Sequence, residues 1–297
     1  MSDTFFTAPP EWRWLVIGYF FVGGIAGGSY VIAALLDLFG APRDRPLARL
    51  GYYAALIGAV VSAILLTVDL TRPLRFWHML IQSESGWPMF KWWSPISVGS
   101  WGITLLGLFA FVSSLGAVTE EGWLHWAPAG KLRRGGLSTA VAVIGMVVGF
   151  FVAGYTGVLL SVTNRPIWAD TNWLGLAFLS SGISTAAAAL ILLGLARGGA
   201  ATATTHWLAR LDSGALVLEL LALIAVVISL GVVASVWWSA WGALLVVGVG
   251  LLGILVPLAL HIRPRLLGHV SVPVAAALVL VGGLLLRVIV VLSSEGV

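Results

Sequence analysis

Asp69, Glu219 and Arg287 stand within or at the ends of otherwise apolar runs, in a chain whose 297 residues include only 16 Lys and Arg and 12 Asp and Glu. A charge held away from water is costly unless it is paired, hydrogen-bonded or neutralised, so each is a functional candidate. Tyr19, Tyr155 and Arg287 each lie about five residues inside the end of a run, roughly 7–8 Å along a helix, and Asp69 closes its own run. Two phenols, a guanidinium and a carboxylate at one level can hold the polar head of a lipid-soluble molecule. Equally, Arg287 and Asp69 can pair with each other, and a tyrosine near a helix end is commonly an interfacial anchor. Glu219 stands apart. Its run is expected to begin near Ser213, which puts it about 10 Å from the inner end, with no Lys or Arg on the same helix. It either carries a proton or meets polar groups of a neighbouring helix, for which Ser180, Ser181, Ser184 and Thr185 are candidates. A proton relay and a structural hydrogen-bonding role both remain open.

The elements that must position these groups follow from composition. Hydrophobic residues make up 60% of the chain and charged residues 9%, against roughly 25% charged in a soluble domain. So little charge cannot cover so much apolar surface in water, and lipid must be the main solvent. Eight apolar runs, about 14–36, 52–70, 95–116, 137–160, 172–195, 213–234, 242–262 and 272–292, each reach the roughly 20 residues a membrane helix needs. The expected fold is all-α: one integral membrane domain over 1–297, with eight transmembrane helices in two four-helix bundles divided near Ser161–Thr171. The first run is too long, and too poor in preceding basic residues, for a cleaved signal peptide.

Orientation is read from the loops. Those after runs 1, 3, 5 and 7 hold Arg43, Arg45, Arg49, Lys131, Arg133, Arg134, Arg197, Arg210, Arg263 and Arg265, ten in all, while the other side holds Arg13, Arg72, Arg75, Lys91 and Arg165, five in all. The positive-inside rule then puts both termini outside, on the periplasmic face of a bacterial inner membrane. The +4 net charge reflects this bias rather than nucleic-acid binding. On the outer side, the stretch with Arg72, Arg75, Trp77, His78, Trp87, Trp92 and Trp93 suits an interfacial helix, a docking surface for an extrinsic subunit, or both.

Several chemistries are excluded. There is no cysteine, hence no disulfide, thiolate-held metal or iron–sulfur cluster in this chain. His78, His125, His206, His261 and His269 fall in loops or at run ends, where they are not placed to face each other across a haem. Lys91 and Lys131, the only lysines, lie in loops, which excludes a retinal Schiff base. No phosphate-binding, zinc-protease or kinase motif occurs.

Together, certain stretches resemble the NrfD/PsrC membrane subunits of polysulfide reductase-type molybdenum respiratory enzymes. They are Gly23-Gly24-Ile25-Ala26-Gly27-Gly28, Asp69 to Phe76 with Pro73, Arg75 and Phe76, and Ser94-Pro95-Ile96-Ser97-Val98-Gly99-Ser100-Trp101-Gly102. Tyr155-Thr156-Gly157, Asn164-Arg165-Pro166-Ile167-Trp168 and the region of Arg287 follow in family order. The resemblance implies a haem-free subunit that exchanges electrons with membrane quinone, menaquinone or ubiquinone. Its implied partners are a ferredoxin-like subunit with four iron–sulfur clusters, docked at the quinone end, and beyond it a molybdopterin catalytic subunit. It assigns quinone binding to Tyr155 and to polar residues of the first helix, here Tyr19; the depth argument above adds Asp69 and Arg287 beside them, and makes Glu219 and Asp69 the candidates for proton transfer. Docking falls to Arg72, Arg75, Trp77, His78, Trp92, Asn164, Arg165 and Trp168. Some members carry His where this chain has Tyr19, and Asn where it has Val16. Two other readings stand beside this one: a secondary transporter with Asp69, Glu219 and Arg287 lining its path, and a purely structural anchor.

Overall fold

The computed structural model describes residues 12–125, 135–198 and 202–296. Among these, eight helices are long and apolar enough to cross a membrane. They are α1 (Trp14–Phe39), α2 (Arg45–Asp69), α3 (Pro95–Glu120), α4 (Gly135–Ser161), α5 (Leu174–Ala196), α6 (Thr202–Leu230), α7 (Ala240–Ile262) and α8 (Ser271–Leu292). No strand forms among the described residues. Lys131, Arg133 and Arg134, expected in the loop after the third run, lie outside them.

Local chemistry sets several boundaries. Ser94 caps α3 by accepting from the Ser97 amide, with Pro95 in the first turn, where its missing N–H costs nothing. Ser239 caps α7 in the same way through the Trp241 amide. The middle of α7, Leu244–Leu255, is wound as a π-helix, and Pro257 follows it. Two boundaries depart from the sequence reading: α2 starts at Arg45, not near residue 52, so Arg45 and Arg49 are helical, and α6 starts at Thr202, not near Ser213. The second departure is the one that moves site residues. The first turns of α6 carry His206, Arg210 and Asp212, too polar to read as a membrane run, yet Ala and Leu between them favour helix. Thr204 also ties this end to the α1–α2 turn by donating to Asp44 Oδ1 at 2.5 Å.

Helices α1 to α4 close into one ring: α1 packs on α2 and α4, and α3 bridges those two. Helices α5 to α8 make a second ring, and α1 and α4 pack against α5 to join the two. Helix α1 is therefore the central post, with Phe20, Ala26, Tyr30 and Ile32 all fully buried. Its glycines make this possible. A Cβ on Gly27 would strike the Gly149 carbonyl of α4, and one on Gly28 the Gly182 carbonyl of α5. Without a hydrophobic drive between helices in lipid, such backbone approach is a main source of packing energy.

Candidate functional site

A cavity of about 330 Å³ opens at the N-terminal end of α1, inside the first ring. Tyr19 from α1, Thr67 and Asp69 from α2, Ser100 and Thr104 from α3 and Tyr155 from α4 supply its polar lining. Val16, Leu66, Ile96, Ile103 and Leu159 supply much of the apolar lining. Its volume and mixture of mostly apolar wall with few polar groups suit a small hydrophobic ligand with a polar head. The two phenols are close enough to influence each other electrostatically. The Tyr155 hydroxyl donates to the Pro95 carbonyl at the start of α3, an acceptor that no sequence feature signals. Pro95 lies at the first turn of α3, so its carbonyl heads the helix while the ring of Tyr155 occupies the space that Gly99 leaves free.

The α2–α3 loop roofs this cavity. Its 3₁₀ turn, Pro73–Met79, sends Phe76 and Met79 into the lining. Ile81 and Pro88 then form an isolated antiparallel bridge, and Trp101 Nε1 of α3 donates to the Met89 carbonyl at 2.9 Å. On the other side of this roof Arg72, Arg75, His78 and Lys91 line a second, more open cleft that shares Leu70, Met79 and Ile96 with the first. Trp77 stacks on His78 with ring centroids 3.8 Å apart, and Trp92 is 74% exposed. Asn164 is exposed and Arg165 half-buried, its guanidinium 5.2 Å from the centroid of the Trp168 ring.

Trp168 departs from the surface position expected of a docking residue. It is fully buried and donates from Nε1 to the Val290 carbonyl of α8 at 2.7 Å. The preceding Ile167 takes φ 70°, a conformation that a β-branched residue rarely adopts, and its amide donates to Asp170 Oδ2 at 2.9 Å. That turn swings Trp168 inward, where it staples the α4–α5 loop to α8.

Arg287 is the second departure. Its Cα shares the expected level, but the fully buried side chain points away from the cavity, into the junction of α1, α5 and α8. Nε donates to the Phe20 carbonyl at 3.2 Å, and Nη1 donates to Ser181 Oγ at 2.9 Å and to the Gly283 carbonyl at 2.6 Å. The rings of Phe178 and Phe21 lie 5.2 and 5.8 Å from its Cζ. Its charge lies within electrostatic reach of Glu219 rather than Asp69, and Ser181 stands beside Glu219 as well. Of the candidate serines for Glu219, Ser181 is the one that reaches it. The counter-charge comes from α8, which no reading of α6 alone could reveal.

Because α6 begins at Thr202, Glu219 sits near the middle of that helix, not close to its N-terminal end. The buried carboxyl group of its N-terminal half is Asp212, missed in the sequence because it precedes the apolar run. Its spacing of seven residues from Glu219, two helical turns, was the available signal. Among the described residues, no group of three or more His, Asp or Glu is gathered closely enough to hold a metal ion.

A family model described as "Polysulphide reductase, NrfD" matches residues 4–295. The chain belongs to the NrfD family. A polysulfide reductase chain of Wolinella succinogenes is 26% identical, over 96% of this chain and 94% of that protein. Protein NrfD of Escherichia coli strain K12 is 27% identical, over 96% and 95%. A selenate reductase subunit of Mesobacillus selenatarsenatis is 21% identical over a shorter stretch, 44% of this chain and 29% of that protein. The NrfD family comprises membrane subunits of respiratory oxidoreductases, and this member is a multi-pass protein of the bacterial inner membrane.

Proposed function

We propose that this NrfD-family chain is the quinone-reactive membrane subunit of a multi-subunit oxidoreductase, and that the cavity at Tyr19, Asp69 and Tyr155 receives the quinone head group. The observation that carries this reading is the joining of two phenols and a carboxyl group around one apolar cavity. The cavity opens at a helix-bundle end, where a lipid-soluble ligand can enter. Tyr155, donating to Pro95, keeps oxygen lone pairs able to accept from a hydroquinone, and Tyr19 presents a second phenol close by. Asp69 at the rim suits proton exchange with the adjacent face, and Glu219 with Arg287 suits proton storage deeper in the bundle.

The ten-to-five bias of basic loop residues supports an orientation with both termini and the cavity on the outer, periplasmic side. On that side Arg72, Arg75, Trp77 and Trp92, with the half-buried His78, form a basic and aromatic surface over the cavity. Such a surface suits docking of a ferredoxin-like iron–sulfur subunit, which in turn meets a molybdopterin catalytic subunit. Electrons then pass between a partner cluster and quinone across a short distance, with no redox centre required in this chain.

The test is Tyr155→Phe in the intact complex. Loss of one hydrogen bond accepted from a hydroquinone hydroxyl should cost about 0.5–1.5 kcal/mol, a several-fold weakening of quinone-linked turnover or of binding of a hydroxyl-bearing quinol analogue. Activity of the catalytic subunit with an artificial dye should stay at the parental level. Unchanged quinone kinetics in an assembled Tyr155→Phe complex would remove this cavity from the quinone reaction.

A further inference from the structure

A larger cleft, of about 680 Å³, opens at the other end of α1 from the quinone cavity, where the α1–α2 turn meets the first turns of α6. One side of it is apolar, with Leu36 and Phe39 from α1 and Trp207 from α6. The other side is basic: Arg43 comes from the turn, and His206 and Arg210 come from α6. All three basic residues are exposed, and among the described residues none of them has a hydrogen bond or an ion pair. The acid in the lining is already committed. Asp44 Oδ2 accepts from the Ala41 amide at 2.7 Å, and its Oδ1 accepts from Thr204. That carboxylate closes the floor of the cleft and leaves the two arginines in excess.

The cleft lies at the level where hydrocarbon gives way to headgroups. The apolar run of α1 stops at Leu36, and that of the antiparallel α6 starts near Ser213. Phe39 is three residues beyond the first and Arg210 three residues before the second, about 4–5 Å along each axis. The sixth span, Ala203–Trp237, has 35 residues, well over the roughly 20 that cross the hydrocarbon core, so its first turns stand in the headgroup layer. Trp favours that layer, and a guanidinium there can give two parallel N–H groups to one phosphate. Basic pockets between membrane helices are suited to anionic headgroups for the same reason. From Phe39 inward to Leu36 the wall is apolar, which gives an acyl chain a bed that a free ion would not use.

We propose that this cleft binds one anionic phospholipid, its phosphodiester held by Arg43 and Arg210 with His206 beside them, and an acyl chain lying along Leu36, Phe39 and Trp207. The site does not depend on the quinone reading. Arg43 follows α1 in the first ring and Arg210 belongs to the second, so one bound lipid bridges the two and reinforces the tie that Thr204 makes to Asp44. A free phosphate ion shares the arginines but not the apolar wall. A zwitterionic phospholipid shares the wall but brings a cationic group that the arginines repel.

The test uses the complex isolated with its native partner subunits, stripped of lipid in detergent and titrated with phosphatidylglycerol, while native mass spectrometry counts the lipid bound. The parent should hold one phosphatidylglycerol tightly, and neither phosphatidylethanolamine nor inorganic phosphate should displace it. Arg43→Gln combined with Arg210→Gln should weaken that binding by at least about ten-fold, with dye-linked activity of the catalytic subunit unchanged. Each single change should weaken it several-fold, and carries the test if the double variant does not assemble. Arg263→Gln combined with Arg265→Gln removes the same charge from the exposed chain after α7, on the same face, and should leave the binding at parental strength. Parental affinity in the assembled Arg43 and Arg210 variants overturns the site, and so do equal losses in the two double variants, which would mean a diffuse attraction of the whole face. Displacement by phosphatidylethanolamine or by inorganic phosphate overturns it as well, the first by removing the demand for negative charge and the second by making the cleft an ion site.

Discussion

The two four-helix rings solve the problem of polar groups in a membrane in opposite ways. In α1–α4 the buried polar groups are neutral. Tyr30 bonds to Ser113 Oγ at 2.9 Å and donates to the Val141 carbonyl at 3.2 Å, and Ser114 donates to the Tyr52 carbonyl at 3.2 Å. In α5–α8 they are ionisable: among the described residues, the buried Asp, Glu and Arg side chains are Asp212, Glu219 and Arg287, all on α6 and α8. The ring with the neutral interior is the one that holds the apolar cavity. Hydroxyls leave such a cavity able to desolvate and bind a neutral molecule, whereas a buried charge demands a dedicated partner. On the proposed reading, one ring binds quinone and the other handles protons, and α1, which packs against both, couples them.

The largest expected effect breaks the charged ring. Arg287→Met leaves Glu219 facing Ser181 without a counter-charge, and removing one partner of a buried pair costs about 3–5 kcal/mol. The yield of assembled subunit and its thermal unfolding temperature should fall sharply. Arg287→Met combined with Glu219→Gln should recover most of the loss, because the orphaned charge is gone. If the single variant is as stable as the parent, the pair is not what holds α5, α6 and α8 together, and the contrast between the rings loses its energetic basis.

A smaller effect sharpens the neutral ring. A methyl group added at Gly99 would press on the Tyr155 ring, and overpacking of this kind typically costs about 1–3 kcal/mol. Gly99→Ala should therefore weaken quinone-analogue binding by about ten-fold, which corresponds to about 1.4 kcal/mol. Gly283→Ala, where a Cβ would meet Thr185 beside Arg287, should disturb packing in the other ring and leave analogue affinity within about two-fold of the parent, since the cavity is not touched. Equal losses of affinity from both would mean that the cavity is not confined to the first ring.

The eight helices are legible in the sequence because length and apolarity alone decide what can span a bilayer, and Tyr19, Asp69 and Tyr155 can be grouped because helical rise converts position into depth. What sequence cannot show is direction around each helix. Arg287 has the right depth for the cavity but faces Ser181 and Glu219, and Trp168 turns inward through the positive φ of Ile167. Asp212 is hidden for a different reason. Helix α6 starts in a polar segment that hydropathy reads as loop, so a residue two turns from Glu219 on one face looks like part of a connection. Its partners, Ser184 and His261, come from α5 and α7, and only packing brings them together.

The smallest effect is the one that tests whether the neutral ring is separate from proton handling. Tyr30 is fully buried, and its hydroxyl links α1 to Ser113 on α3 and to the Val141 carbonyl on α4. Tyr30→Phe keeps the ring, and with it the edge packing on Tyr52 at 5.2 Å between centroids, and removes only the hydroxyl. A single hydrogen bond of this kind is worth about 0.5–1.5 kcal/mol. Ser113 can turn to a carbonyl of its own helix, as serines in membrane helices do, which pulls the expected cost toward the lower end. The unfolding temperature should drop slightly, while quinone-analogue affinity and proton exchange per electron stay at the parental values. Ser113 and Val141 belong to α3 and α4 rather than to the helices of the Glu219–Arg287 pair, and Tyr30 does not line the cavity. Reduced proton exchange in Tyr30→Phe would therefore place a proton route through α1–α4, and the division of labour between the rings would have to be redrawn around Tyr30 and Ser113 instead of Glu219 and Arg287.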